Sequence, residues 1–112
     1  MKKKDMEIRI NAVRFTADEK LTNHIQTKLE KLSKYNDRIK EIEVFLKLEN
    51  SGQVRDKIVE IKAYIPGSPV FFVEDVDKSF EASFDKALLS LRRVVKKQKD
   101  LLKNPRYRVE KS

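Results

Sequence analysis

Apolar and polar positions alternate with a period of two in four stretches of this chain and recur with a helical period in two. Ile8, Ile10 and Ala12 alternate with Arg9, Asn11 and Val13, which predicts a short first strand. Leu21, Ile25, Leu29 and Leu32 follow at helical spacing, so a helix is expected from about Asp18 to Lys34. Thr16 or Asp18 offers its N-cap, and Thr16 with Glu19 has the spacing of a capping box. "KYNDR" ends it. In "EIEVFLKLE", Ile42, Val44, Leu46 and Leu48 share one face while Glu43, Phe45, Lys47 and Glu49 share the other, the clearest strand in the chain. After the turn "NSGQ", "DKIVEIKAYI" predicts a third strand with Val59, Ile61, Ala63 and Ile65 facing inward. "PGSP" breaks the ladder, and "VFFVEDV" predicts a shorter fourth strand. Asp77 or Ser79 can cap a last helix running to about Lys103, which Asn104-Pro105 stops.

The predicted order is β-α-β-β-β-α. The first helix serves as a right-handed crossover between two parallel strands, and tight turns make the remaining strands antiparallel neighbours. Each strand has one apolar face and each helix one apolar stripe. The simple α+β solution is a four-stranded mixed sheet with both helices packed on one face. The other face is then solvated and carries Glu43, Phe45, Lys47, Glu60 and Lys62, with Tyr64 beside them. Residues 1–6 form a basic arm that includes Lys2 to Lys4, residues 7–103 one domain, and residues 104–112 a short tail.

Composition adds a charge bias to this picture. The 112 residues suit one compact domain, and 39% are hydrophobic, enough for one modest core. A further 39% are charged, with 26 Lys and Arg against 18 Asp and Glu, a net charge of +8. Such a balance points to an anionic partner, nucleic acid above all. The absence of cysteine excludes disulfides and thiolate chemistry, and it fits a reducing cytoplasm. No apolar run approaches the roughly 20 residues of a membrane span, and the basic start is followed by no apolar stretch of the secretory kind.

The bias is concentrated in "LLSLRRVVKKQKDLLKNPR". With Phe84 at zero on a helical wheel of about 100° per residue, Leu88, Leu91, Val95 and Leu102 fall within roughly 40° of it. Lys99, Arg92, Lys103 and Lys96 lie at roughly 60° to 120°, Arg93 lies at about 180°, and Lys97 is further round. Cations in a last helical turn complement the macrodipole, but that needs only one or two, and here they begin mid-helix. The first helix adds Lys20, His24, Lys31 and Lys34 on one flank, with Lys28 close by. If the two helices pack side by side, their basic flanks line a shared groove able to follow a phosphate backbone.

Other chemistries find little footing. His24 is the only histidine and has neither a cysteine nor a second histidine at ligand spacing. Glu74, Asp75 and Asp77 lack the spacing of a calcium loop and suit a strand end before a helix N-terminus. Both glycines, Gly52 and Gly67, are explained by turns, which leaves no phosphate-binding loop. Most of the six Phe and three Tyr sit at core-compatible positions, Phe45, Tyr64 and Tyr107 excepted. No catalytic constellation, cofactor site, metal site or small-molecule substrate is expected.

Three stretches together resemble the ribosome hibernation promoting factor family, which includes ribosome-associated inhibitor A (protein Y) and is also known by the name sigma-factor modulation protein. "IQTKLEKLSKYNDRI" is similar to the family's Lys-Leu-x-Lys-Leu followed by a basic-aromatic pair. "SFEASFD" resembles its Tyr-Ala-Ala-Ile-Asp opening of the last helix, and "LRRVVKKQKDLL" its Leu-x-Arg-Gln-Leu-x-Lys-x-Lys run. The resemblance spans about Glu7 to Leu102. Departures are Ala12, Val13 and Arg14 where Gly-Arg-His is frequent, Leu89 and Ser90 where Asp-Lys is common, and Val94 in place of a glutamine. The resemblance implies a fold like that of double-stranded-RNA-binding domains. It also implies a non-enzymatic translation inhibitor of stationary or stressed cells, bound between head and body of the small ribosomal subunit, with rRNA and ribosomal proteins as partners. The matching RNA contacts are Arg93, Lys96, Lys97 and Lys99, with Lys28 and Lys31 from the first helix; Arg92 and Lys103 join them from the helical wheel. A chain ending at Ser112 resembles the short type, which lacks the dimerising domain of longer members. The alternative is a protein-interaction module that regulates transcription.

Overall fold

The computed structural model describes residues 6–49 and 55–103, the side chains of 99–103 excepted. The elements run β1 (Glu7–Ala12), α1 (Glu19–Glu30), a 3₁₀ turn η1 (Lys31–Lys34), β2 (Glu41–Leu48), β3 (Lys57–Tyr64), β4 (Phe71–Asp77) and α2 (Phe80–Lys103). This is the β-α-β-β-β-α order that the periodicities predict. Residues 1–5 of the basic arm, the "NSGQ" turn with Gly52, the Asn104-Pro105 stop and the tail with Tyr107 lie outside the described residues, while Met6, assigned to the arm from the sequence, packs against the core.

The sheet order is β1-β2-β3-β4. β1 pairs parallel with β2, Ile8 opposite Ile42 and Ile10 opposite Val44, so α1 is the crossover. β2 and β3 are antiparallel with Val44 opposite Ile61, and β3 and β4 are antiparallel with Ile61 opposite Val73. The aligned apolar rows make one face of the sheet the core floor. Ile42, Val44, Leu46, Val59, Ile61 and Ala63 are buried there beneath Ile25 and Leu29 of α1 and Phe84, Leu91 and Val95 of α2. α2 packs over β3 and β4, and α1 lies beside it toward β1.

Local chemistry sets the boundaries. Asp18, rather than the capping box of Thr16 and Glu19, starts α1: its Oδ1 accepts from the Leu21 N–H at 2.8 Å. Ser79 does the same for α2, its hydroxyl accepting from the Ala82 N–H at 3.1 Å. The first helix tightens into 3₁₀ geometry at Lys31 instead of staying α-helical to Lys34, which shifts its last carbonyls to closer partners. Between β3 and β4 the Ser68 N–H donates to the Ile65 carbonyl at 3.0 Å across Pro66 and Gly67. Gly67 has φ +82°, the geometry that a type II turn demands at its third position. Arg14, in the β1–α1 loop, holds φ +66° despite its side chain, a conformation that costs roughly 1–2 kcal/mol. Next to it Phe15 stacks on Phe80 with ring centroids 5.2 Å apart, which ties the loop to the start of α2.

The open sheet face carries Phe45 and Tyr64, as the alternation predicts. It also carries Phe72, 51% exposed, an aromatic that the sequence pattern had placed with the core. In β4 the face pointing to the helices holds Phe71, Val73, Asp75 and Asp77. The strand is apolar on both faces at its start, so the hydrophobic pattern does not fix its parity.

Candidate nucleic-acid interface

α1 and α2 meet so that a groove opens between them. Leu21, Ile25 and Leu29 commit one face of α1 to the core, and Phe84, Leu88, Leu91 and Val95 commit one face of α2. The neighbouring flanks then face each other across a cavity of about 350 Å³ lined by Lys28, Lys31, Leu32 and Tyr35 on one side and Asp85, Leu88, Leu89 and Arg92 on the other. The shared groove expected from the two basic flanks is therefore present, with Lys28, Lys31 and Arg92 as its cationic members.

Each of these side chains is positioned differently. Lys28 Nζ lies 3.1 Å from Asp85 Oδ1, and the same oxygen accepts from His24 Nε2 at 3.0 Å. The His24 ring meets the Phe84 ring edge-on at 5.9 Å. His24 thus serves as a latch between the helices; among the described residues no group of three or more His, Cys, Asp or Glu could hold a metal ion. The Arg92 guanidinium sits over Tyr35, Cζ 4.8 Å from the ring centroid, and Nη2 donates to the Tyr35 hydroxyl at 2.7 Å. That contact fixes its plane. Lys31 is exposed at the groove's edge and forms no ion pair with a described residue.

The remaining α2 cations spread outward from the groove. Lys96 follows Arg92 on the same flank, Arg93 points away from the core, and Lys97 continues round; these three are exposed and Arg92 is half-buried. Lys99 and Lys103 lie on the final turns of the helix. Lys86 behaves otherwise, since its Nζ is 3.2 Å from Asp77 and 3.3 Å from Asp75. The bonds to Asp77 and Asp75 raise the Lys86 pKa. The Lys78 N–H and Lys86 in turn hold the Asp77 carboxyl below its ordinary value. The acidic cluster thus clamps the start of α2 to β4, while Glu74 lies exposed on the other sheet face.

One anchoring group carries no legible signature. Asn36, wholly buried, donates from Nδ2 to the Val95 carbonyl at 3.1 Å and to Gln98 Oε1 at 2.8 Å, while its Oδ1 accepts from the Arg38 N–H at 3.0 Å. Gln98 Nε2 donates to the Ser68 hydroxyl at 2.9 Å. This chain of bonds joins the end of η1, α2 and the β3–β4 turn, and so holds the segment bearing Arg93, Lys96 and Lys97. In "KYNDR" Asn36 looks like a turn residue; only the tertiary structure brings Val95 to it.

The arrangement is that of a cationic surface positioned by the fold. No helix among the described residues is long and apolar enough to cross a membrane. No curated protein sequence matches this chain. The structure resembles a ribosomal subunit interface protein from Coxiella burnetii, with a TM-score of 0.75 and 19% identity over 85% of this chain and 99% of the other. It also resembles the N-terminal domain of Thermus thermophilus Protein Y, with a TM-score of 0.69 and 26% identity over 82% of this chain and 98% of that domain. The model of the family described as sigma 54 modulation protein / S30EA ribosomal protein matches residues 8–103, nearly all of the β-α-β-β-β-α unit, and the chain belongs to that family.

Proposed function

We propose that this protein is a non-enzymatic, ribosome-associated translation inhibitor of the cytoplasm. It binds small-subunit rRNA in the decoding channel and keeps mRNA and tRNA out of idle ribosomes in stationary or stressed cells. The observation that carries the reading is the inter-helix groove, where cations from both helices converge and continue along α2. Structured rRNA offers dense phosphates in fixed positions, which suits pre-positioned lysines and arginines more than a flexible basic tail. Lys28, Lys31, Arg92, Arg93, Lys96, Lys97, Lys99 and Lys103 are the proposed contacts, and occlusion by the folded domain is the mechanism. The family's description as an S30EA ribosomal protein, and the name of one solved relative, a ribosomal subunit interface protein, support the ribosome as partner.

The test is co-sedimentation with ribosomes on sucrose gradients. Lys96→Glu with Lys97→Glu reverses two exposed charges without touching the core, so the fold stays intact while small-subunit binding falls on the order of 100-fold at moderate salt. Unchanged co-sedimentation would sink the rRNA reading. A second reading, a protein-interaction module that modulates transcription, draws on the open sheet face, where Phe72 and Val76 are exposed. Ribosome binding that hardly responds to salt would favour it.

A further inference from the structure

Two groove side chains are out of place in a surface that only follows phosphates. Leu89 is 46% exposed, and its wheel position of about 140° puts it among the cations of the α2 flank. Asp85 is a carboxylate at the end of the same groove, where a passing phosphate would be repelled. Leu89 lies outside the core, and Asp85 serves the fold through Oδ1 alone, in its bonds to His24 and Lys28. The cavity they line, about 350 Å³, lies near the lower end of the size range of small-ligand pockets.

We infer that the groove receives one unpaired nucleotide of the bound RNA, its base splayed out against Leu89 and the guanidinium plane of Arg92. The inference rests on the rRNA-binding reading above. Bases leave the stack readily in single-stranded loops and settle on aromatic rings or arginine planes. Tyr35 holds the Arg92 plane from one side, which leaves the guanidinium oriented before RNA arrives. Lys31 stands at the rim, where the flanking phosphates would pass. Asp85 spends Oδ1 on His24 and Lys28, and among the described residues its Oδ2 has no partner. A carboxylate oxygen facing a base edge accepts from an exocyclic amino group, as acidic residues do with the amino group of cytosine. The notch therefore favours cytosine, adenine or guanine over uracil.

Fluorescence anisotropy at one salt concentration tests this with three probes: an oligo(C) single strand, an oligo(U) single strand and an RNA duplex with the same number of phosphates. Oligo(C) binds tighter than oligo(U), and Asp85→Ser brings the two together. Leu89→Ser, on the surface and without charge change, lowers oligo(C) affinity about fivefold more than duplex affinity, the low end of what a stacked base contributes. Arg92→Lys, which keeps the charge and loses the plane, shifts the same ratio the same way. Equal effects of Leu89→Ser on single strand and duplex overturn the notch, as does crosslinking of position 89 to a ribosomal protein instead of rRNA. If duplex and single strand both bind with a steep salt response, and Lys96→Glu with Lys97→Glu abolishes this while Leu89→Ser is silent, the notch alone falls. If the protein binds neither RNA nor ribosomes, the rRNA reading falls with it.

Discussion

The open side of the sheet and the side covered by helices are both rich in charge, and they dispose of it differently. On the open side Arg9 lies within 3.8 Å of carboxylates from Glu7, Glu41 and Glu43. Lys47 pairs with Glu60 at 3.0 Å, Lys62 covers the Phe45 ring at 5.5 Å, and the Tyr64 hydroxyl donates to Glu43 at 2.9 Å. Glu7 lies on the same strand as Arg9, Glu43 lies directly opposite it, and the other pairs are diagonal neighbours on adjacent strands, so the charges are largely consumed within the face. Arg9 and Tyr64 show it: the hydrogen bond to Glu7 raises the Arg9 pKa, and the bond to Glu43 raises that of Tyr64. On the helical side, Lys86 and Lys28 are tethered to Asp residues, whereas Arg93, Lys97 and Lys31 form no ion pair among the described residues. Net charge alone therefore says little. What separates the two faces is how many cations already have a partner within the fold: Arg9, Lys47 and Lys62 all do on the open side, whereas Arg93, Lys97 and Lys31 on the helical side have no ion pair among the described residues.

The largest contrast to break is in packing. Phe84 is wholly buried under α2, and Phe72 stands 51% exposed on the open face. Phe84→Ala should cost about 3–5 kcal/mol in urea unfolding, and Phe72→Ala within about 0.5 kcal/mol. A comparable loss at Phe72 would mean that the open face is not solvated. The next contrast is electrostatic. Neutralising Lys96 and Lys97 to Gln should reduce the slope of log affinity for ribosomes against log salt by about 2, one unit per lost phosphate contact. Neutralising Lys47 and Lys62 on the sheet should leave that slope as it was. Equal changes would erase the distinction between the faces.

Much of this was legible from periodicity. The order of elements, the inward rows of β2 and β3, and the core stripe of α2 follow from alternation and helical spacing, because one buried face imposes its period on the residues. The shared groove follows from two basic flanks on adjacent helices. What stayed hidden has physical reasons. β4 carries apolar residues on both faces at its start, so nothing in "VFFVEDV" shows that Phe72 points outward. Asp18 and Thr16 are both competent caps, and the sequence does not choose between them; in the structure Asp18 accepts from the Leu21 N–H. The Arg92–Tyr35 contact joins residues 57 apart in sequence, and the Asn36–Val95 contact residues 59 apart.

Asn36 makes the helical side the more exacting of the two to build. Its amide fills three roles at once, and removing it leaves the Val95 carbonyl and Gln98 with fewer partners. Asn36→Ala should cost about 1–3 kcal/mol, the penalty of stranded buried polar groups. Hydrogen exchange should then rise in α2 around Val95 before it rises in β2 or β3. Uniform loosening of the whole sheet would instead make Asn36 an ordinary core residue with no special hold on the segment carrying Arg93, Lys96 and Lys97.

The smallest effect concerns the cation that the helical side withholds. Lys86 bonds to Asp77, whose carboxyl is held below its ordinary value mainly by the Lys78 N–H and then by Lys86. A depressed carboxylate contributes stability above its unfolded pKa and loses it as pH falls through the folded value. The raised pKa of Lys86 acts at the other end, where its share is complete below the unfolded value and is lost as pH rises through the folded one. Asp77→Asn keeps an acceptor for the Lys78 N–H and removes the charge. The wild type should therefore melt slightly higher than this variant at pH 7, with the gap closing as pH falls below the unfolded carboxyl's ordinary value and through the lowered folded one. A gap that persists in acid would assign the difference to packing rather than charge. Because Lys86 is already neutralised on the β4 side, ribosome binding should change less in Asp77→Asn than in any substitution of an α2 cation. That outcome would mark where the anion-binding surface stops: α2 presents its cations to the groove and outward, and the flank turned toward β4 belongs to the fold.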